Sequence, residues 1–318
     1  MPSDRFDILV AEPLEASAMD RLAEVGEVRS ASNYDPATLI REVAGADALI
    51  VRTYSRVTAA VIEAGDRLKV IGRAGVGLEN IDLAAARERG ITVVYTPQAG
   101  SQSVAEHTVG LMLALERRLA TGEAMLREGR FAEARRTLVG REFRGLTLGI
   151  VGMGRIGRRV ARMCRRAFDM TVLYNDIVEI GYLDFVATPV SKERVWAESD
   201  VISLHVPLTE LTRHLVNAEA LKQFQPAATL INTARGAVVD AAALAAALAA
   251  GELAGAAIDV HEPEPPPPDY PLLGAPNVLL SPHIAARTTV ARARMNDVVD
   301  DVIAALTGDR IRYPAHED

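Results

Sequence analysis

The stretch Gly149–Met163, GIVGMGRIGRRVARM, changes character twice along its length. It opens as a short apolar run, turns through Gly152, Gly154 and Gly157, and continues with apolar and basic residues at helical spacing. That succession predicts a strand, a tight turn and the first turns of a helix. The glycine spacing GxGxxG divides the work. Gly152 permits the turn, Gly154 lets a ligand approach the backbone, and Gly157 lets the helix pack close to the sheet. The helix then points its unbonded N–H groups and positive end at the turn, an arrangement suited to a dinucleotide pyrophosphate.

Such a unit usually opens its domain, yet here nearly half the chain precedes it. The preceding half alternates apolar runs with helical patterns. DILVAE (7–12), ADALIVR (46–52), LKVIGRAGVG (68–77) and ITVVYTP (91–97) read as strands, and LEASAMDRLAEV (14–25), AAVIEAG and NIDLAAARERG as helices. Gly90 closes the last of these helices. A long helix over about 103–119 and an arginine-rich arm (120–145) follow. After the glycine turn, strands are predicted at MTVLYND, DFVAT, DVISLHVP, ATLINTA, GAAIDV and NVLLSP, and a helix at AAALAAALAA (241–250). EPEPPPPDYP (262–271) is excluded from helix and inner strand by its prolines. One long helix is expected over 288–306.

Alternation of this kind predicts two doubly wound parallel sheets, covered by helices on both faces. The expected division is a substrate domain of residues 1–98 and 288–318, interrupted by a dinucleotide domain of 99–287. The insertion explains why the glycine turn sits in mid-chain.

With 49% hydrophobic and 24% charged residues, the 318-residue chain is expected to build large soluble cores. No apolar run reaches membrane-spanning length, and no basic region followed by an apolar stretch marks a signal peptide. Cys164 is the only cysteine, which excludes an intrachain disulfide and fits a cytoplasmic setting. A net charge of −7 argues against a general nucleic-acid binder.

The strand after the glycine turn, TVLYND, ends in Asp176, 19 residues beyond Gly157. A carboxylate there can accept from the ribose hydroxyls and repels a 2′-phosphate, so NAD is the expected cofactor. Three later strand ends each carry a reactive group: Arg235 in INTARGAVVD, Asp259 and Glu264 in AIDVHEPEP, and His283 in LLSPHIAAR. Strand C-termini of an open parallel sheet face the ligand crevice, so these groups are expected to converge. Asp259, His261 and Glu262 invite a metal reading. No second histidine stands at helical spacing, and no metal is expected. His107 in SVAEH and His205 in HVP are read as structural histidines.

GRAGVGLENID, SVAEH, GMGRIG, HVPLT, NTARG, DVHEPEP and SPHIA, in this order, give the chain a resemblance. It is similar along nearly its whole length to the D-isomer-specific 2-hydroxyacid dehydrogenases, on the phosphoglycerate and glyoxylate/hydroxypyruvate branch. The resemblance implies a Rossmann NAD-binding domain inserted into a flavodoxin-like one. It implies Arg235, Glu264 and His283 as the catalytic set, His283 handling the proton and Arg235 the substrate carboxylate. Asp259 would orient the nicotinamide amide. Val206, Pro207, Thr233 and Val104 would line the cofactor, with Arg155 and Ile156 of the glycine turn. The turn Ala74, Gly75, Val76, Gly77 would take the other side of the carboxylate, and Arg52 would bind substrate. A homodimer through the long helix and the arm is also implied.

Four positions depart from the family pattern: Tyr95, Gly100, His261 and Arg287. The expected substrate is a small anionic 2-hydroxy or 2-keto acid. Arg52, Arg56, Arg135 and Arg136 favour a second anionic group such as phosphate, as in 3-phosphoglycerate. Glyoxylate/hydroxypyruvate reduction and an NAD(H)-sensing corepressor are the alternatives. Formate dehydrogenases are disfavoured, because the resemblance implies glutamine where Glu264 stands.

Overall fold

Four-residue runs such as ALIV and VISL are too short for stable helices and carry no polar face. In a computed structural model of the chain, describing residues 5–315, both runs are strands buried at every position. The chain forms two units. One holds the described residues up to Gly100 and from Arg287 onward, the other Ser101–Ala286.

The first unit alternates β1 (Phe6–Val10), α1 (Ala16–Val25), β2 (Gly26–Ser30), α2 (Pro36–Glu42), β3 (Ala48–Val51), α3 (Ala59–Ala64), β4 (Val70–Arg73), α4 (Leu83–Glu88) and β5 (Thr92–Tyr95). Its sheet runs β2-β1-β3-β4-β5, all parallel, which is the flavodoxin-like order. The second opens with α5 (Ser101–Glu116), α6 (Leu119–Arg127) and α7 (Phe131–Thr137). It continues with β6 (Thr147–Val151), α8 (Arg155–Phe168), β7 (Thr171–Asn175), β8 (Thr188–Pro189), α9 (Lys192–Glu198) and β9 (Val201–Leu204). It closes with α10 (Ala218–Leu221), β10 (Thr229–Asn232), α11 (Ala241–Ala250), β11 (Gly255–Ile258) and β12 (Val278–Leu280). The seven-stranded parallel order β12-β11-β10-β9-β6-β7-β8 is the Rossmann order extended by one strand, with its reversal between β6 and β9.

The chain then returns to the first unit as α12 (Thr289–Asn296) and α13 (Val298–Thr307). Val298, Val302 and Leu306 of α13 pack with Ile8, Ile50 and Val70 of the sheet. Gly72 of β4 makes room for them: a Cβ there would lie 2.5 Å from Val302 Cγ2. Each such apolar side chain contributes about 1.5–3 kcal/mol on burial.

Several local readings change. GEVRS forms the edge strand β2, which was not foreseen. DFVAT is no strand as a whole; only Thr188 with Pro189 pairs, against Leu173 and Tyr174. The arm is two helices, and the expected helix over 288–306 is two, parted at Asp297. The polyalanine helix spans 241–250 as read, capped by Asp240 and stopped by Gly251 in the left-handed conformation. Among the described residues no helix is long and apolar enough to cross a membrane.

Candidate active site

The adjacent parallel strands β10, β11 and β12 end at Asn232, Ile258 and Leu280, so the loops beyond them leave one rim of the sheet. Arg235, Glu264 and His283 stand on those loops. β6, on the same rim, delivers the glycine turn, and β9 delivers Val206 and Pro207.

The glycine turn has the geometry its spacing requires. Gly152 is left-handed (φ +93°), and a Cβ on it would lie 2.6 Å from His205 O and 3.0 Å from Val206 Cγ1. A Cβ on Gly157 would lie 2.1 Å from Gly152 O, so α8 seats against the turn only through glycine. A Cβ on Gly154 would meet nothing within 4 Å, which leaves that face of the turn open for a ligand. Arg158 N–H bonds back to Gly154 O, so the N–H groups of Arg155, Ile156 and Gly157 precede the helix's own bonding. Asp176 is half-buried beside them: Oδ2 accepts from Met153 N (2.7 Å) and Oδ1 from Val178 N (3.1 Å). Its carboxylate keeps lone pairs for further donors. These residues fit a dinucleotide.

His283 Nδ1 lies 2.7 Å from Glu264 Oε2, and the other Glu264 oxygen accepts His261 N–H at 2.8 Å. Burial pushes the Glu264 carboxyl up, but the bonds from His283 and His261 outweigh it and hold the group below its usual range. An ionised Glu264 makes Nδ1 the donor in this pair and leaves Nε2 as the ring nitrogen turned away from it. Both side chains remain partly exposed. His283 also adopts φ +51°, a left-handed conformation that a residue with a Cβ rarely takes.

Arg235 follows Asn232, a buried side chain that donates to Arg235 O (2.9 Å) and accepts from Ala234 N (3.0 Å). Its guanidinium reaches Ala234 O at 2.7 Å. Gly236 brings this loop against the next one, since a Cβ there would lie 2.1 Å from the carbonyl carbon of His261. The Arg235 and Glu264 loops are thereby packed together, within the second unit.

Asp259 has a structural role that the sequence did not announce. It is wholly buried, and both oxygens serve the chain: Oδ1 accepts from Ser281 Oγ (2.5 Å) and Ile284 N (3.0 Å), Oδ2 from Ala285 N (2.9 Å). In this structure it braces the turn that carries His283. Burial raises its carboxyl, and the bonds from His107, Ser281, Ile284 and Ala285 bring it net below the ordinary value. Thr233 likewise turns inward, to Thr108 Oγ1 at 2.9 Å. Val104 is buried, Val206 half-buried and Pro207 exposed. Burial pushes the His205 ring down to about 3, so it stays neutral, and Ser203 Oγ lies 2.9 Å from its Nε2.

Asp259, His261 and Glu262 do not gather as metal ligands. His261 Nε2 is 2.9 Å from Ser281 O, its ring meets Tyr270 edge-on, and Glu262 pairs with Arg213 at 2.9 Å.

In the first unit, the Ala74–Gly77 turn is partly committed. Ala74 N bonds to Val51 O (2.9 Å) and Gly75 N to Arg73 O (2.8 Å); among the described residues Val76 and Gly77 N–H have no acceptor. Of the four N–H groups in this turn, those of Val76 and Gly77 are left for another acceptor. Arg52 leans on Pro13 O (3.1 Å), at the head of a loop ordered by Glu12. That buried carboxylate accepts from the backbone of Arg52 (2.9 Å), Thr53 (3.3 Å), Tyr54 (3.1 Å) and Ser55 (2.9 Å). Burial and the guanidiniums of Arg292 and Arg287 lower the Arg52 pKa against the opposing pull of Glu12 and Glu15.

Glu12 was missed because its partners lie some forty positions away, with no spacing to betray them. His107 was passed over as a packed histidine, yet its Nε2 lies 3.3 Å from Ser281 Oγ and 3.5 Å from Asp259 Oδ1. Tyr95 ends β5 and Gly100 is buried at the close of the first unit, while Arg287 is exposed at the chain's return.

Comparison with known proteins accords with this geometry. Residues 109–285 match the D-isomer specific 2-hydroxyacid dehydrogenase, NAD binding domain family. A D-3-phosphoglycerate dehydrogenase of Archaeoglobus fulgidus is 40% identical over 309 residues, 96% of this chain and 58% of that protein. The chain thus spans little more than half the length of that relative. A hydroxypyruvate reductase of Thermotoga maritima is 39% identical over 95% of this chain and 99% of its own. The structure of a D-lactate dehydrogenase from Aquifex aeolicus, complexed with NAD and lactic acid, superposes with a TM-score of 0.86 at 33% identity, covering 95% of this chain and 96% of that one. A Rossmann unit with a glycine turn fit for NAD, a His–Glu pair on its strand-end rim and similarity along the chain lead to one statement: this chain belongs to the D-isomer-specific 2-hydroxyacid dehydrogenase family, and its second unit is that family's NAD-binding domain.

Proposed function

We propose that the chain is an NAD-dependent dehydrogenase interconverting a small D-2-hydroxy acid and its 2-keto acid. The observation that carries the reading is the 2.7 Å bond from His283 Nδ1 to Glu264 Oε2, on the rim that also bears the glycine turn. NAD, when bound, accepts or supplies the hydride. His283 Nε2 gives its proton to the carbonyl oxygen in reduction and takes it from the hydroxyl in oxidation. Glu264 favours the charged imidazolium and fixes the ring. Arg235 offers a planar fork to the substrate carboxylate. Asp176 favours NAD over its 2′-phosphorylated form.

The test is a panel of 2-keto acids with NADH, followed at the reduced-nicotinamide absorbance band. His283→Ala should lower turnover by about 10²–10⁴-fold and leave NADH binding nearly unchanged. Near-full turnover in that variant removes His283 from the mechanism. An NAD(H)-binding protein without turnover on any 2-hydroxy or 2-keto acid would instead match the corepressor alternative.

The favoured substrate carries a second anionic group such as phosphate. Arg52 and the exposed Arg56 support this, as do the Arg135 and Arg136 guanidiniums on α7. Comparing 3-phosphoglycerate oxidation with glyoxylate and hydroxypyruvate reduction decides it. Arg56→Ala and Arg135→Ala should weaken use of the phosphorylated acid alone. The proposed setting is the cytoplasm, and the proposed assembly a homodimer through α5 and the arm.

A further inference from the structure

We infer that His107 is a positioning residue for the turn that carries His283, acting through Asp259 and Ser281. The inference rests on the dehydrogenase reading for what the turn does, but not for how the turn is held.

The turn needs holding. His283 sits in the left-handed region, which is strained for a residue with a Cβ and persists only where neighbours over-determine it. Those neighbours converge on Asp259. Its backbone carbonyl accepts His283 N–H at 2.7 Å, and its carboxylate takes Ile284 N, Ala285 N and Ser281 Oγ. Three of the turn's donors therefore end on one carboxylate with no exposed surface, and a fourth on the same residue's carbonyl.

A buried carboxylate can do this only while ionised, because a protonated oxygen turns an acceptor into a donor. Three of its donors belong to the turn itself. Among the described residues His107 is the one donor from outside it, reaching from α5 with Nε2 3.5 Å from Oδ1 and 3.3 Å from Ser281 Oγ. Ser281 Oγ already gives its proton to Asp259, so toward His107 it can only accept, and Nε2 of His107 carries the hydrogen. The bonds form a closed triangle of His107, Ser281 and Asp259. It ties the turn to α5, the long helix running alongside α8 behind the sheet. The upper pair, His283 with Glu264, thus stands on a lower pair, His107 with Asp259. A displacement of the turn by about 1 Å can cost on the order of 10²-fold in rate without removing any reacting group.

Two variants and two readouts test this. His107→Leu removes the donor, and His107→Gln restores an N–H at the reach of Nε2. In keto-acid reduction, His107→Leu should lower kcat by about 10–10²-fold with KM and the NADH dissociation constant within about threefold of wild type, and His107→Gln should recover most of kcat. In amide hydrogen exchange on the cofactor-free protein, Ile284 and Ala285 should lose about tenfold in protection in His107→Leu and regain it in His107→Gln, while β6 and β10 stay protected. Unchanged kcat together with unchanged exchange overturns the proposal. So does an equal loss in both variants spread over the whole unit, which makes His107 a packing residue only. A wild type inert toward every 2-keto acid removes the dehydrogenase reading; the exchange comparison, which needs no turnover, then decides the brace by itself.

Discussion

Asp259 and Glu264 both have carboxyls held below their unfolded values, so the sign of their pH effect is fixed. Each contributes stability that is fully present above the unfolded carboxylate range and is lost as the pH falls through the lower folded value. Asp259→Asn places an amide donor against N–H or O–H donors and should cost about 2–3 kcal/mol at neutral pH, read by urea unfolding. The deficit should shrink in acid, where wild-type Asp259 itself protonates. In keto-acid reduction the wild type should lose activity on the acid side as Glu264 gains its proton. Glu264→Gln should lower kcat and abolish that acid limb in a pH–rate profile. Cys164, buried in α8 with its thiol pushed up to about 12, should not react with a thiol reagent until the protein unfolds. The placement of Arg235, Glu264 and His283 was legible in the sequence because each closely follows an apolar run that ends at the rim. The brace was not. Glu12, His107 and Ser281 act across long chain separations, and polar residues that pair at a distance leave no period behind.

The glycine turn and its helix illustrate what local pattern can fix. Gly157→Ala would set a methyl 2.1 Å from Gly152 O, forcing α8 off the turn. NADH affinity should fall by tenfold or more, since overpacking of about 1–3 kcal/mol acts directly on the ligand's seat. Fluorescence titration of the two proteins measures it, and equal affinity would show that α8 yields without consequence. The same pattern reading went astray where apolar content ran thin or misled. In β2, GEVRS has a single large apolar residue, because an edge strand meets the core along one side only. DFVAT has the composition of a strand but pairs only at Thr188 with Pro189, the sheet's outermost contact. The run over 288–306 keeps helical spacing through Asp297, so nothing in its periodicity announces the break that separates α12 from α13.

Leu119, Leu126 and Phe131 of the two arm helices and Val139 just beyond them are exposed in the isolated chain. Large apolar side chains clustered on one excursion of the backbone are suited to a partner surface, and the proposed two-fold dimer would cover them. Phe131→Asp with Leu126→Asp should shift sedimentation at micromolar concentration from dimer to monomer mass, whereas a wild type that already sediments as a monomer would dismiss the arm as an interface. The discontinuous first unit was legible from the order of strand and helix signals, since a terminal helix of apolar spacing needs a sheet to cover. That return has a consequence for synthesis. A ribosome completes β1–β5 long before it makes α13, so Ile8, Ile50 and Val70 wait with that face of their sheet covered only in part, by α1. Ser101–Ala286 is continuous and meets no such delay. The unit encoded second should therefore be the first to close, and the unit encoded first should depend on the chain's last helix emerging from the exit tunnel.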